Sequence, residues 1–140
     1  MVRQTSSIRK QQIIEAARGL ITDRGMDAVT TDAIAEAVGF SEAAIYRHFS
    51  SKRQILLQLV DELEKDLLAS VELAQSAEPN ALRVLECLLE THLADIEGSR
   101  GVSFIVIPGA IGFEGIGLAD RVREMLDRYI DALKGVIQKG

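Results

Sequence analysis

Tyr46, Arg47, His48 and Lys52 crowd into one short stretch that Ser41 opens. Their shared chemistry is donation. A phenol, a guanidinium, an imidazole and an ammonium can all give hydrogen bonds to phosphate oxygens, and Arg also pairs with guanine O6 and N7. Beside them stand Ala43 and Ala44, small enough to let a helix lie close to base edges. Such a set works only if the helix that carries most of it presents those residues on one exposed face. At 100° per residue with Ile45 pointing inward, Phe49 falls about 40° away and also points inward. Ala43 and Arg47 then lie on the opposite side, flanked by Ala44 and Tyr46.

The elements that must hold this face are legible on either side of it. Thr30 or Thr31 can cap a preceding helix, in which Thr31, Ile34, Ala35 and Val38 follow the i, i+3, i+4, i+7 rule. Gly39 stops that helix, because glycine takes the left-handed conformation at no steric cost. Ser41 caps the next one. A helix, a short glycine turn and a second helix are the parts of a helix-turn-helix, whose second helix enters the DNA major groove. After it, Ser51-Lys52-Arg53-Gln54 matches a capping box, in which each side chain satisfies the other residue's backbone N–H. Lys52 then sits in the first turn of a helix, where a phosphate partner offsets its unfavourable dipole interaction.

Charge is split along the chain. Residues 1–53 hold eight basic and six acidic side chains, a net +2, whereas the remainder holds eight and fifteen, a net −7. A mildly basic head on an acidic body suits DNA binding of modest non-specific affinity that depends on salt. No apolar run is long enough for a transmembrane helix, and no apolar segment follows the charged N-terminus as a signal peptide requires. A cytoplasmic, nucleoid-associated protein is expected. The single Cys87 excludes an intramolecular disulfide framework.

Before the head's second helix, Arg3, Arg9 and Lys10 form an arm able to reach the DNA backbone or minor groove, or simply a solvated terminus. A first helix is expected over Ser7 to Arg24, with Gly25 as its stop. The head's core is expected to be Ile13, Ala17, Leu20, Val29, Ile34, Val38, Ile45 and Phe49. A fourth helix runs from Lys52 to about Gln75, too long to serve the head alone. A fifth, from Pro79 to Glu97, carries Leu82, Leu85, Leu89, Leu93 and Ile96, with Val84 and Leu88 widening its face. So wide a band implies burial on more than one side. Gly98 to Gly117 is glycine-rich but lacks a phosphate-loop pattern, and is read as one short apolar helix before Pro108 and an irregular connection. Leu118 to Lys139 restores a helix.

The head resembles the tetracycline-repressor-type transcriptional regulators. The likeness rests on R-K-Q-Q-I-I-E-A-A-R-G-L-I-T-D-R-G (9–25), T-T-D-A-I-A-E-A-V-G-F-S (30–41) and E-A-A-I-Y-R-H-F-S-S-K (42–52). It covers the first 55 or so residues closely and the rest by helix order. It implies an all-α fold, with a three-helix DNA-binding head (1–53) on a helical effector-binding and dimerisation body (54–140). It also implies a homodimer on a double-stranded operator, a repressor that a small apolar or amphipathic ligand releases. Carried over residue by residue, Thr31, Tyr46, His48 and Lys52 would contact phosphates, and Glu42, Ala43 and Ala44 would face bases. Arg47 joins them by its outward angle.

Three features depart from the family pattern. Asp32 stands where some relatives carry a base-reading cation, and its carboxylate suits capping. Glu42 can accept from cytosine N4, or be solvated in the first turn. The chain stops after what would be the family's seventh helix, so either the body is truncated, which the apolar faces left exposed on helices five and seven favour, or dimerisation uses another surface.

In that family ligands bind among helices four to seven, and the candidates here are Leu63, Leu88, Thr91, His92, Phe104, Ile107, Phe113, Met125 and Tyr129. His92 either bonds a ligand or is a satisfied core histidine. Cys87 and His92 lie about 140° apart on a helix, so no metal pair forms and no cofactor is implied. No Ser/His/Asp or paired-carboxylate arrangement is visible, so an enzyme is not expected. A DNA-binding protein of the same fold that organises the chromosome or restrains cell division, without a small ligand, is the alternative.

Overall fold

The computed structural model describes residues 5–97 and 117–140. These form six α-helices and one 3-10 turn, with no strand among them. Thr5 caps α1 (Ser6–Arg24), its hydroxyl accepting from the Ile8 N–H at 3.4 Å. Gly25 ends it at φ 85°. The 3-10 turn Met26–Ala28 leads into α2 (Thr31–Val38), which Thr30 rather than Thr31 caps by accepting from the Ala33 N–H at 3.0 Å. A short turn then gives α3 (Glu42–His48).

The long helix α4 (Lys52–Ala77) runs two residues past its expected end. It stops because Glu78 is extended (φ −125°, ψ 124°), the conformation that the ring of a following proline enforces. The next helix does not open at Pro79; α5 (Ala81–Glu97) starts after Asn80. The Asn80 side-chain oxygen accepts from the N–H groups of Leu82 (2.9 Å) and Arg83 (3.4 Å), satisfying donors that Pro79 cannot. The last helix, α6 (Leu118–Lys139), lies against both α4 and α5. The short helix expected before Pro108 falls outside the described residues.

Two apolar clusters hold these helices together. The larger takes Ile13, Ala17, Val29, Ile34, Ile45 and Phe49 from the head, as expected, and adds the first half of α4 and the start of α6. Its packing therefore runs unbroken across residues 53 and 54. Leu20 and Val38 are only partly buried, and Ile14 and Ile21 take the interior positions of α1. The smaller cluster joins Val71 and Ala74 of α4, Val84 and Leu88 of α5, and Val136 of α6.

On α5 the expectation of two-sided burial is not met among the described residues. Val84 and Leu88 face α4 and α6. Leu82, Leu89, Leu93 and Ile96, on another face of the helix, are 74%, 61%, 51% and 49% exposed. Only one side of α5 has described helices against it, and the residues one turn apart at 84 and 88 win that side. Ile130 and Ile137 of α6 are exposed as well.

Candidate nucleic-acid interface

The turn between α2 and α3 is built on one left-handed residue, Gly39 (φ 72°, ψ 27°). Its conformation lets the Phe40 N–H reach back to the Ala35 carbonyl at 3.0 Å, so a carbonyl at the end of α2 is satisfied. Ser41 then caps α3, accepting from the Ala44 N–H at 3.1 Å. At seven residues α3 is too short to be stable alone. Ile45 and Phe49 fix it to the core, one fully and one almost fully buried. Fixing those two turns Ala43, Tyr46 and Arg47 outward, where they are exposed; Glu42 is exposed in the first turn, and Ala44 and His48 are half-buried.

Side-chain bonds order this face further. The Thr31 hydroxyl, at the first residue of α2, donates to the Glu42 carboxylate at 2.9 Å. The Tyr46 hydroxyl lies 3.4 Å from the same Thr31 oxygen. His48 Nδ1 lies 3.3 Å from the Ser6 hydroxyl, which ties the end of α3 to the start of α1. The guanidinium of Arg9 sits 5.0 Å over the Phe40 ring and the Lys10 ammonium 5.8 Å over the Phe49 ring. These cation–π contacts seat the basic end of α1 beside the turn and the end of α3. Arg3 lies outside the described residues.

At the start of α4 the Ser51 hydroxyl accepts from the Gln54 N–H at 3.3 Å, as a capping box requires. The return bond differs from expectation, since the Gln54 carbonyl accepts from the Ser50 N–H at 3.0 Å rather than from that of Ser51. The long Gln side chain reaches one residue further back. Lys52 is the first residue of this capped helix and is half-buried. Thr31, Ser41, Glu42, Ala43, Ala44, Tyr46, Arg47, His48 and Lys52 thus belong to one contiguous α2–turn–α3–α4 segment.

The ligand candidates do not gather in the same way. Leu63 and Met125 are buried in the larger cluster, and Leu88 in the smaller. Thr91 is exposed, its hydroxyl donating to the Cys87 carbonyl at 2.9 Å. His92 and Tyr129 do meet. Their rings stack at 5.8 Å, and the Tyr129 hydroxyl is 3.0 Å from His92 Nε2. His92 Nδ1 is 2.7 Å from the Leu88 carbonyl, which can only accept. In the neutral ring Nδ1–H is therefore the donor to Leu88, and Nε2 accepts from Tyr129. Burial pushes the Tyr129 phenol above its ordinary pKa. Phe104, Ile107 and Phe113 lie outside the described residues.

Sequence reading missed the other polar centre of the molecule. Glu64 is a buried carboxylate, 8% exposed, on the core-facing side of α4. Arg121 and Arg128 of α6 both donate to it, Arg128 at 2.7 Å, and Arg121 also reaches Asp61 at 2.9 Å. Burial alone would raise the Glu64 pKa, but hydrogen bonds and attraction from the two arginines prevail and hold it below 4.5. These groups line an open cleft of about 520 Å³ with Lys65, Leu68, Ala69 and Glu72. None of the described ligand candidates lines it. The signal was present, since Glu64 stands four residues after Val60 in a row otherwise apolar.

No described helix is long and apolar enough to cross a membrane. Residues 13–59 match the family described as "Bacterial regulatory proteins, tetR family". The chain is 30% identical over 140 residues to the nucleoid occlusion factor SlmA of Vibrio vulnificus (strain YJ016), spanning 99% of this chain and 71% of that protein. Its fold is similar to that of a TetR-family transcriptional regulator from Agrobacterium tumefaciens, at a TM-score of 0.85 and 20% identity, covering 97% of this chain and 73% of the other. It is also similar to FadR of Bacillus subtilis, solved with stearoyl-CoA, at a TM-score of 0.78 and 25% identity over 93% and 69%. The matched segment contains the Gly39 turn and the whole outward face of α3. The chain belongs to the tetR family of bacterial regulatory proteins, and it is a DNA-binding regulator rather than an enzyme.

Proposed function

We propose that the chain is a sequence-specific transcriptional repressor that lays α3 in the major groove of its operator. The observation that carries this is the division of α3 into a fixed buried side, Ile45 and Phe49, and an exposed side of small, cationic and phenolic residues. Ala43 and Ala44 face the bases. Arg47, Tyr46, His48 and Lys52 hold the backbone, with the Ser41 hydroxyl at the rim. The 3.4 Å contact from Tyr46 to Thr31 is long for an O–H donor and exchanges readily for a phosphate.

A homodimer and a small apolar or amphipathic effector complete the proposal. The row of exposed leucines on α5 supports the first, since apolar surface of that kind marks contact with another protein layer. The stearoyl-CoA bound to the Bacillus FadR supports the second by analogy.

The test is a salt titration of DNA binding. Replacing Lys52 with alanine is expected to weaken binding to all sequences alike and to flatten the plot of log affinity against log salt by about one unit. An unchanged slope would remove Lys52 from the phosphate contacts. The SlmA relatives favour a second reading, a nucleoid-bound protein that acts on cell division without an effector. Mapping bound sites across the genome separates the two. One or a few promoter palindromes mark the repressor; many dispersed sites mark the nucleoid protein.

A further inference from the structure

Thr31 carries one hydroxyl proton, and the structure directs it to Glu42 rather than outward. With that proton committed, the Tyr46 hydroxyl is the donor in its contact with the Thr31 oxygen. The bond that holds the Glu42 carboxylate therefore runs from the first residue of α2 to the first residue of α3, and Tyr46 can leave for a phosphate without breaking it. Glu42 itself is exposed in the first turn of α3, the end of a recognition helix that meets base edges. A solvated glutamate at a helix start needs no such support. This one is held at a set place in the exposed first turn of α3, with its other oxygen outside that bond.

We infer that Glu42 reads cytosine in the major groove, with Thr31 as its positioning residue. The inference rests on the major-groove placement of α3 proposed above. An ionised carboxylate only accepts hydrogen bonds. The major-groove edges of guanine (O6, N7) and thymine (O4) offer it only acceptors, which repel it. Adenine offers its N6 amino group but sets the N7 acceptor beside it. Cytosine presents the N4 amino group with no acceptor alongside. The short side chains at 43 and 44 leave the carboxylate room to reach a base edge without being held off by its neighbours. Glu42 thus also acts by exclusion, penalising guanine or thymine at the base it meets.

The experiment is selection of bound DNA from a random pool by the wild-type chain and by Glu42→Ala, Glu42→Gln and Thr31→Val. Far-UV circular dichroism and the urea midpoint serve as folding controls for these surface changes. The wild type is expected to enrich cytosine at one position of each half-site. Glu42→Ala lowers that enrichment about tenfold and leaves other positions unchanged. Glu42→Gln moves the preference towards adenine, whose N6 and N7 an amide pairs together. Thr31→Val relaxes the same position in part, while the slope of binding against salt stays at the wild-type value. A salt slope lowered by about one unit in Thr31→Val, with cytosine enrichment intact, would place Thr31 on phosphate and overturn its positioning role. Cytosine enrichment identical in wild type and Glu42→Ala, with DNA binding retained, overturns the inference and leaves the docking of α3 standing. A wild-type chain that enriches no sequence overturns both.

Discussion

Ile45→Ala is expected to destabilise the fold by about 3 kcal/mol. Ile45 is fully buried and is the only buried side chain within α3. Truncation removes apolar area and leaves a cavity among side chains from α1 and α2 that cannot all close in. The helix it serves is seven residues long and has no stability of its own to fall back on. DNA binding should therefore fail at denaturant concentrations where the rest of the chain is still helical. By contrast, Arg47→Ala on the exposed side is expected to shift stability by less than about 0.5 kcal/mol while weakening DNA binding. Urea midpoints with paired DNA titrations check both. A wild-type midpoint for Ile45→Ala would mean that α3 is held by something other than its inward face.

Arg121→Met comes next, at roughly 2 kcal/mol of lost stability. The loss reflects less what the ion pair contributes than what its absence leaves behind, a buried Glu64 carboxylate with one partner fewer. The figure is set below that for a fully buried pair because the cleft is open to water and Arg128 remains. Glu64→Gln should cost less, since Arg121 keeps Asp61 at 2.9 Å. The pH dependence has a definite sign. The folded pKa of Glu64 lies below its ordinary value of 4.5. The unfolded chain therefore takes up the proton first as pH falls, and the stabilisation from ionised Glu64 is present in full above about pH 4.5 and lost below it. Urea midpoints at pH 7 and pH 3 should show a smaller acid loss for Glu64→Gln than for wild type. Equal losses would show that other carboxylates carry the acid sensitivity.

The sequence made the head legible because its signals are local. Caps at Thr30, Ser41 and Ser51, the stops at Gly25 and Gly39, and the inward pair Ile45 and Phe49 each act within one or two turns. Where two local signals competed, reading failed. On α5 both the Leu82–Leu89–Leu93–Ile96 row and the Val84–Leu88 pair are apolar, and only the angle at which α4 and α6 cross decides which is covered. The start of α5 is ambiguous in the sequence because Pro79 and Asn80 are both helix openers, and only Asn80 holds the cap. Bonds between distant residues gave no signal at all. Glu64 meets Arg121 and Arg128 across 57 and 64 residues. Thr31 meets Glu42 across the turn only because α2 and α3 pack at one particular angle. Charge composition marked the basic head, but the same counting could not show that Arg9 and Lys10 rest on aromatic rings.

The two apolar clusters strung along α4 give the molecule unequal resistance to local opening. The end of α4 that carries the head shares its interior with α1, α2, α3 and the start of α6. The far end shares a handful of side chains with α5 and the end of α6. Backbone amides of α5 and the last turns of α4 therefore exchange with solvent through small openings, while those of α1 and the first turns of α4 wait for global unfolding. The distal half can loosen and re-form while the surface that meets DNA keeps its shape.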